Sequence, residues 1–323
     1  MESRKLAVVQ KYLNDTQKEK IRECGEALGF TVDFFDGPET ARGKLADAEI
    51  IFTQFREVLQ DAPALRWCAS SNAGVDPFLV PGVFASDQAV LTNGAGAYGV
   101  TISEHIVMVA LMLLRRMGEY QEAAARHEWL GGLGIRSIHG SRVTIMGTGD
   151  IGRTTAGMLK AMGASRIVGL NHSGRMPEGA AFDETARSTE AESYLPETDI
   201  LILCMPDTPE TRGILSRQRI SLLPEHGIVI NVGRGSAVDQ NALRQALTEH
   251  RIGGAALDVV VPEPLPAEDP LWETENLILT QHISGNMTLG YTADRSVELF
   301  CDNLRRYAAG EPLHHVVDRI RGY

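Results

Sequence analysis

The sequence predicts an α/β protein that contains two doubly wound parallel sheets. Short apolar runs rich in β-branched residues alternate with longer helical patterns along almost the whole chain. Continuous apolar strands separated by helices indicate parallel sheets that are covered by helices on both faces. A glycine-rich turn between an apolar strand and a helical pattern is the third observation, because doubly wound sheets place such a turn after a strand.

The predicted strands fall into two groups along the chain. The first group is KLAVVQ, TVDFF, EIIFTQF, LRWCASS and AVLTN, and the second is RVTIMG, RIVGLN, DILILCMP, GIVINVG, GAALDVV and NLILTQH. A length of 323 residues is too long for one ordinary domain and sufficient for two domains that each bury a core. We therefore expect one sheet from each group.

Two glycine-containing stretches mark the expected crossings between the domains. GAYGVT, residues 96–101, follows the first group of strands, and SGNMTLG, residues 284–290, precedes the last helical pattern, YTADRSVELFCDNLRRYAAG. Neither stretch has the composition of a disordered linker, so we interpret both as hinges. The predicted domains are residues 1–98 with 289–323, and residues 99–288 inserted between them.

Charge and cysteine content narrow the classes of function. The formal net charge of −11 argues against a nucleic-acid surface, because phosphate binding needs clustered cations. The cysteines are scattered and form no CxxC pair, so we predict neither a disulfide framework nor a metal site, and a reducing, cytoplasmic compartment. The chain enters an apolar strand within five residues, which is not typical of a signal peptide.

The most apolar segment, Ile106–Leu114, lies within a helix predicted from about Thr101 to Met117. This segment is too short to span a bilayer and has charged residues on both sides. We therefore expect a buried helix.

The clearest functional pattern is GTGDIGR, with Gly147, Gly149 and Gly152 in G-x-G-x-x-G spacing. A glycine-rich turn alone is weak support for dinucleotide binding, since strand-to-helix turns that bind no ligand also contain glycine. Here a strand precedes it, and a helical pattern and the strand RIVGLN follow, as the dinucleotide fingerprint requires. We predict that this turn, with Asp150 and Ile151 beginning the helix, binds a dinucleotide pyrophosphate.

The segment GLNHSGR then predicts which dinucleotide is bound. Asn171 stands where an acidic residue usually binds the adenosine ribose 2′-OH, about 20 residues beyond the glycine turn. Asn171 removes the repulsion between that acid and a 2′-phosphate, while His172, Ser173 and Arg175 offer donors or positive charge. These residues favour NADP(H), with NAD(H) possible. The alternative is that Arg175 is an ordinary solvated arginine and Asn171 only ends a strand.

Three polar side chains follow strands of the second group. INVGRGSAVD contains Arg234, ALDVVVPEPLP contains Glu263, and LILTQHISGN contains His282. Ligands in open α/β sheets bind beyond the carboxyl ends of strands, so these residues predict one site. Taken singly, they are equally explained as a strand-end ion pair, a turn residue and a core histidine.

Several motifs together resemble the D-isomer-specific 2-hydroxyacid dehydrogenase family, and especially its glyoxylate/hydroxypyruvate reductases. These motifs are GTGDIGR, PDTPETRGIL, NVGRGSAVDQNAL, LDVVVPEPLP and LILTQHISG, together with the amino-terminal SNAGVDPF and TNGAGAYGVTISEHIVMVALMLLRR. The resemblance covers nearly the whole chain. It implies a Rossmann dinucleotide-binding domain inserted into a flavodoxin-like substrate domain, and an oxidoreductase that acts on a small 2-oxo acid such as glyoxylate or hydroxypyruvate.

The resemblance also implies roles for individual residues. Arg234 matches the family's substrate-binding arginine, Glu263 its glutamate, and His282 its catalytic histidine, which also borders the cofactor. Substrate-binding backbone amides are implied at Asn72, Ala73 and Gly74. Further cofactor contacts are implied at Cys204, Met205, Pro206, Val232, Gly233 and Asp258, of which Asp258 lies near the nicotinamide amide.

Elementary chemistry agrees with these roles. The planar guanidinium of Arg234 can hold a carboxylate and polarise the adjacent ketone. His282, as imidazolium, can protonate the oxygen that gains charge during reduction, while Glu263 orients the ring and favours its charged form. We therefore expect reduction to persist at neutral pH and oxidation to prefer alkaline pH, where the neutral histidine is the base.

Two features depart from the family or stay open. Gln281 stands before the histidine where the family usually has proline, which concerns only details of the pocket.

Trp129 is expected either to pack simply or to line the substrate pocket across the interface of a homodimer, the assembly that relatives commonly form. Two other activities remain as alternatives: phosphoglycerate dehydrogenase, and a dinucleotide-sensing corepressor.

Overall fold

The computed structural model describes residues 4–86 and 88–322. The strands are β1 (Arg4–Val9), β2 (Phe30–Phe35), β3 (Ile50–Thr53), β4 (Trp67–Ser70), β5 (Val90–Thr92), β6 (Arg142–Met146), β7 (Arg166–Asn171), β8 (Glu184–Arg187), β9 (Ile200–Leu203), β10 (Ile228–Asn231), β11 (Gly254–Leu257) and β12 (Leu277–Leu279). The α-helices are α1 (Asp15–Ala27), α2 (Pro38–Ala41), α3 (Gly99–Leu114), α4 (Met117–Ala125), α5 (Asp150–Ala161), α6 (Arg217–Ile220), α7 (Gln240–Thr248) and α8 (Gly290–Ala309). Short 3₁₀ helices are Arg56–Asp61, Asp76–Leu79, Ser188–Ser193, Leu195–Glu197, Gly235–Ala237 and Pro270–Glu273.

The chain forms two compact units, of which the first comprises the chain up to Tyr98 and from Gly285 onward. Its parallel sheet has the strand order β2-β1-β3-β4-β5, the flavodoxin-like order. Side chains alternate between two apolar cores along β1, with Leu6 in one cluster and Ala7 in the other. A strand that is buried on both faces must be apolar throughout, which explains the continuous apolar run of the sequence.

The second unit, Gly99–Ser284, contains a parallel sheet with the order β12-β11-β10-β9-β6-β7-β8. The order reverses between β6 and β9, which are neighbours although β7 and β8 lie between them in sequence. Doubly wound sheets bind ligands at this reversal, outside the carboxyl ends of the strands. The predicted fold class, with a Rossmann unit inserted into a flavodoxin-like unit, is confirmed.

Two local expectations differ from the structure. No strand was predicted over β8, because ETAR is polar, and β8 indeed lies at the edge of its sheet with only Ala186 buried. The predicted helix from Thr101 to Met117 begins at Gly99 and ends at Leu114. Arg116 then adopts a left-handed φ of 54°, which ends one helix and begins the next.

Burial of α3 is one-sided. Ile106, Val109 and Ala110 are buried, whereas Met108 is 46% exposed, so the expected buried helix is buried on one face and exposed on the other. No helix within residues 4–86 and 88–322 combines the length and apolarity needed to cross a membrane. The predicted domain boundary at residues 288 and 289 stays a prediction.

Candidate active site

The glycine turn joins β6 to α5 at the strand reversal of the second unit. A Cβ atom on Gly152 would lie 2.0 Å from the carbonyl oxygen of Gly147, so only glycine allows the helix to start this close to the strand. Gly149 is the N-cap residue and provides no side-chain cap to α5. First-turn amides without a side-chain cap are suited to an anion such as pyrophosphate, so the turn fits a dinucleotide.

Asp150 and Ile151 form the first turn of α5, as predicted. The carboxylate of Asp150 packs against Gly99 at the start of α3. Within the described part of the chain, its Oδ2 atom is buried and lacks a hydrogen-bond partner. An unsatisfied buried carboxylate oxygen is costly, so this turn carries a polar group that the protein alone does not satisfy.

Asn171 ends β7 and organises the loop that follows it. Its Nδ2 atom donates to Thr148 Oγ1 at 2.9 Å and to the carbonyl oxygen of Arg175 at 2.9 Å. Its Oδ1 atom accepts from the backbone NH of Gly174 at 2.6 Å and from the hydroxyl of Ser173 at 3.1 Å. Asn171 is therefore more than the end of a strand, since one side chain closes the loop and connects it to the glycine turn.

The loop exposes the two basic side chains of GLNHSGR. His172 and Arg175 are both exposed, and Arg175 makes no ion pair among those described. His172 lies near Glu210, whose pKa is lowered chiefly by a hydrogen bond from Thr208 and in part by the charge of His172. The loop thus presents positive charge at the end of β7, next to the glycine turn.

Cys204, Met205 and Pro206 follow β9 and lie below the same turn. The Cys204 thiol donates to the carbonyl oxygen of Gly147 at 3.2 Å, and burial raises its pKa to about 12, so it stays protonated. Met205 is buried, whereas Pro206 is exposed and its carbonyl oxygen accepts from Thr211 Oγ1 at 2.7 Å. These residues support the turn and are not reactive groups.

Arg234 follows β10 in a loop that Asn231 shapes. The fully buried Asn231 accepts from the NH of Gly233 at 3.1 Å and donates to the carbonyl oxygen of Arg234 at 2.9 Å. Val232 and Gly233 are buried, and Arg234 is half-buried. Sequence reasoning missed Asn231, although it belongs to the same motif as Arg234.

Asp207 is a second residue that sequence reasoning missed. Its carboxylate accepts from Arg212 and, at 2.7 Å, from Ser236, so it joins the loops after β9 and β10. The hydrogen bond from Arg212 is the main cause that lowers the pKa of Asp207, and the charge of Arg234 adds to it. The motif PDTPETRGIL contains Asp207, but its sequence does not reveal the contact with Ser236.

Asp258 follows β11 and holds the segment that contains His282. Its Oδ1 atom accepts from Thr280 Oγ1 at 2.7 Å and from the NH of Ile283 at 2.8 Å, and its Oδ2 atom accepts from the NH of Ser284 at 3.0 Å. Burial alone would raise the pKa of Asp258, but the hydrogen bonds from Ser284, Thr280 and Ile283 outweigh it and lower the pKa. Asp258 is therefore a positioning residue for the neighbouring histidine.

His282 and Glu263 form a hydrogen-bonded pair. His282 Nδ1 lies 2.9 Å from Glu263 Oε2, and Glu263 Oε1 accepts from the NH of Val260 at 3.1 Å. His282 has a left-handed φ of 55°, and its NH donates to the carbonyl oxygen of Asp258 at 2.8 Å. The His282 side chain is 49% exposed, which excludes a core histidine.

Adjacent strands bring the three polar residues to one edge of the sheet. β10, β11 and β12 are neighbours, and Arg234, Asp258 and His282 follow them in that order. A Cβ atom on Gly235 would lie 2.3 Å from the carbonyl carbon of Val260, so the arginine loop packs against the segment leading to Glu263. Arg234 and the histidine–carboxylate pair thus share one edge.

Asn72, Ala73 and Gly74 belong to the first unit, where they directly follow β4. The side-chain amide of Asn72 donates to the carbonyl oxygen of Gln54 at 3.2 Å, and the backbone carbonyl oxygen of Asn72 accepts from the backbone NH of Gly94 at 2.8 Å. The side chain is thus used to fix the loop. This arrangement agrees with a role for backbone atoms at these positions.

Comparison with known proteins identifies similar sequences and folds. The family model described as "D-isomer specific 2-hydroxyacid dehydrogenase, NAD binding domain" matches residues 107–284. The glyoxylate/hydroxypyruvate reductase B of Pectobacterium carotovorum subsp. carotovorum is 31% identical over 90% of this chain and 92% of the relative.

Two solved structures share the complete fold. A D-isomer specific 2-hydroxyacid dehydrogenase family protein from Aeromonas salmonicida superposes with a TM-score of 0.86 at 28% identity, over 98% of this chain and 100% of that chain. An NADPH-dependent glyoxylate/hydroxypyruvate reductase from Sinorhizobium meliloti, in complex with NADP and sulfate, has a TM-score of 0.83 at 27% identity, over 99% of this chain and 100% of that chain.

Proposed function

Because this chain belongs to the D-isomer specific 2-hydroxyacid dehydrogenase family, we propose that it reduces a small 2-oxo acid to the D-2-hydroxy acid with NADPH, reversibly. The observation that carries the proposal is the His282–Glu263 pair on the sheet edge that also holds Arg234. Glyoxylate and hydroxypyruvate are the proposed substrates, since the name of the Pectobacterium relative contains both.

Arg234 binds and orients the substrate in this mechanism. Its guanidinium presents paired NH donors to the carboxylate and polarises the neighbouring ketone oxygen. Asn231 and Asp207 hold the loops around it. Backbone amides of Asn72, Ala73 and Gly74 in the first unit stay a predicted substrate contact, as the family resemblance implies.

His282 supplies the proton. Its Nδ1 atom is bonded to Glu263, so its Nε2–H is the donor to the ketone oxygen. Glu263 stabilises the imidazolium while the backbone NH of Val260 fixes the carboxylate. The bound nicotinamide supplies the hydride in reduction and accepts it in oxidation.

The loop after β7 selects the cofactor. Arg175 and His172 are exposed beside the glycine turn, and no acidic side chain stands at Asn171, so a 2′-phosphate meets positive charge and no repulsion. A charge-assisted hydrogen bond contributes about 1.5–3 kcal/mol, or roughly a 10- to 100-fold change in affinity. The NADP complex of the Sinorhizobium structure supports the same choice.

The test is a set of initial rates with glyoxylate, hydroxypyruvate and larger 2-oxo acids, each with NADPH and with NADH. We expect preference for NADPH, and we expect Arg175→Ala to raise KM for NADPH by roughly 10- to 100-fold while leaving KM for NADH unchanged. Arg251→Ala is the matched control. Arg251 is exposed and precedes β11, so it lies at the amino ends of the strands, away from the loop after β7.

Three outcomes would count against the proposal in different ways. Equal use of NADH would refute the role of the loop and keep the activity. No turnover with either cofactor would refute the enzyme and favour a dinucleotide-sensing protein. Preference for a phosphorylated 2-hydroxy acid would favour a phosphoglycerate dehydrogenase.

We propose further that the protein acts as a homodimer. Trp129 is 98% exposed, which does not fit simple packing inside the chain, and Ile135 in the same irregular segment is 51% exposed. Met108 on α3 is also exposed. Apolar surface of this kind is typical of an interface between proteins.

Sedimentation velocity tests the dimer. Trp129→Ser is expected to shift the protein toward the monomer, whereas Ile320→Ser, which replaces an equally exposed residue at 97%, leaves the assembly unchanged. A monomeric wild type would refute the dimer.

We also propose a cytoplasmic location, supported by the four free cysteines, and no nucleic-acid partner, supported by the net charge of −11.

A further inference from the structure

Two thiols face each other where α1 packs against α8 in the first unit. The Sγ atom of Cys24 lies 3.7 Å from the carbonyl oxygen of Cys301, and the Sγ atom of Cys301 lies 4.0 Å from the carbonyl oxygen of Lys20, one turn before Cys24. Each sulfur therefore contacts the helix that carries the other.

The two thiols have different surroundings. Cys24 is half-buried at the rim of the apolar core, whereas Cys301 is 1% exposed inside it. The neighbouring Cys301 side chain lowers the pKa of Cys24, and the positive charge of Arg305 acts in the same direction. The contact with Cys24 and burial raise the pKa of Cys301. Of the two sulfurs, the more exposed Cys24 thus has the lower pKa, and the buried Cys301 has the higher one.

The other cysteines lack these features. Cys68 is buried in an apolar core, and Cys204 lies beside the glycine turn, where its thiol donates to the carbonyl oxygen of Gly147. The pKa of both thiols is raised by burial. Reactivity of cysteine toward oxidants depends on the thiolate form and on access. Among the four cysteines, only Cys24 combines a lowered pKa and partial exposure with a second cysteine beside it, which is the arrangement of a reactive and a resolving cysteine.

We propose that Cys24 and Cys301 form a redox-modifiable pair, which a hydroperoxide converts into a disulfide that links α1 to α8. This inference does not depend on the proposed dehydrogenase activity. The two residues are 277 positions apart in sequence, so no spacing motif could reveal the pair.

The chemistry balances in two steps. The thiolate of Cys24 attacks one oxygen of hydrogen peroxide; an S–O bond forms, the O–O bond breaks, and the hydroxide released takes a proton to become water. Cys301, on losing its proton, then attacks the sulfur of the sulfenic acid; an S–S bond forms, the S–O bond breaks, and a second water leaves. Two thiols are oxidised to one disulfide, and one peroxide is reduced to two waters.

The first measurement is a peptide map of the reduced, full-length protein after treatment with hydrogen peroxide, with free thiols alkylated under denaturing conditions. We expect a linked pair of peptides that contains Cys24 and Cys301, lighter by two hydrogen atoms than the separate peptides. Cys68 and Cys204 should remain alkylated, and dithiothreitol should release the link. This map decides the proposal even if a cysteine variant fails to fold.

Matched serine variants separate the two roles. Cys301→Ser should retain the oxidation of Cys24 and accumulate a sulfenic acid that dimedone traps, because no resolving thiol is present. Cys24→Ser should lose at least 10-fold in the rate of thiol oxidation. Oxidation of wild-type Cys24 to sulfinic acid without a link, or an unchanged rate in Cys24→Ser, would overturn the proposal.

Discussion

The backbone of His282 lies in the left-handed region, which few residues other than glycine adopt. Such a conformation persists only when the surroundings determine it, and here the carbonyl oxygen of Asp258 accepts the NH of His282. The ring is fixed separately by Glu263 at Nδ1. Backbone and ring are thus positioned by two different carboxylate residues, which leaves Nε2 as the ring nitrogen for the substrate.

Replacement of His282 by Asn is expected to lower kcat by about 10²- to 10⁴-fold, the usual contribution of a general acid. KM for NADPH should change little, because the glycine turn and the loop after β7 are untouched. Steady-state kinetics with each oxo acid measure both constants. Gln281→Ala is the control, since Gln281 is the exposed neighbour on the same segment. A parallel loss in both variants would indicate a distorted segment and not a lost proton donor.

At the residue scale, the sequence predicts the common sheet edge of Arg234, Glu263 and His282 better than the contacts that hold their loops in place. Arg234, Glu263 and His282 follow strands in motifs, so their common edge could be predicted. Asn231 and Asp258 act through partners that are distant in sequence or on the backbone. A local sequence motif does not identify such hydrogen-bond partners.

At the scale of elements, α5 contains two glycines with opposite requirements. A Cβ on Gly152 would collide with the carbonyl oxygen of Gly147, whereas a Cβ on Gly157 would meet no described atom within 4 Å. The first glycine allows the close turn between β6 and α5, and the second has no such close contact. The same substitution should therefore have opposite effects at the two sites.

We expect Gly152→Ala to cost about 1–3 kcal/mol of unfolding free energy and to weaken NADPH binding, because the turn must open. We expect Gly157→Ala to stabilise the protein by about 0.5–1 kcal/mol with unchanged binding, since alanine loses less entropy in a helix. Urea unfolding and NADPH titration measure both effects. Equal stability of the two variants would contradict the close approach of Gly152 to the carbonyl oxygen of Gly147.

The segment from Thr280 to Ser284 depends on one carboxylate, and this gives an acid sensitivity. The folded state lowers the pKa of Asp258, so its stabilisation is complete above the unfolded pKa of about 3.9 and is lost as pH falls through the lower, folded value. Unfolding free energy should therefore fall with pH below about 4.

Asp258→Asn is expected to destabilise the protein by about 1–3 kcal/mol at pH 7. Both carboxylate oxygens of Asp258 accept hydrogen bonds, so the amide nitrogen of an asparagine would stand against a donor and leave it without an acceptor. It should also flatten the decline of unfolding free energy below about pH 4. Denaturant melts across the pH range provide the measurement. Asp61→Asn is the control, because Asp61 is an exposed residue at the end of a 3₁₀ helix. A wild-type decline that persists in Asp258→Asn would assign the acid sensitivity to other carboxylates.

Element positions were predicted where the pattern is apolar and missed where it is polar. β6 and β9 are buried along their length, and their runs were evident. β8 is a polar edge strand, and the break at Arg116 depends on one left-handed residue within a helical pattern. Periodicity reports burial, so it contains little information about edges and local breaks.

At the scale of the molecule, each unit has its own sheet and its own apolar interior. The glycine turn, the loop after β7 and the His282–Glu263 pair all belong to Gly99–Ser284. A dinucleotide should therefore stabilise that unit directly.

We expect NADPH at about 100 times its Kd to stabilise the protein by about 2.7 kcal/mol, which raises Tm by roughly 5–10 °C. At the same concentration NADH should give a smaller shift, and Arg175→Ala should reduce the shift with NADPH to that of NADH. Differential scanning calorimetry measures these shifts. Equal shifts with both cofactors in the wild type would contradict the preference.

Asn171 has a consequence for changing the cofactor. The obvious route to an NADH enzyme is Asn171→Asp, yet the amide nitrogen is the atom that holds Thr148 and the carbonyl oxygen of Arg175. An aspartate would place a carboxylate oxygen against that carbonyl oxygen and open the loop that it is meant to adapt. The single variant Asn171→Asp is therefore expected to bind either cofactor with a disrupted loop. A change of cofactor preference requires replacement of the whole loop at once.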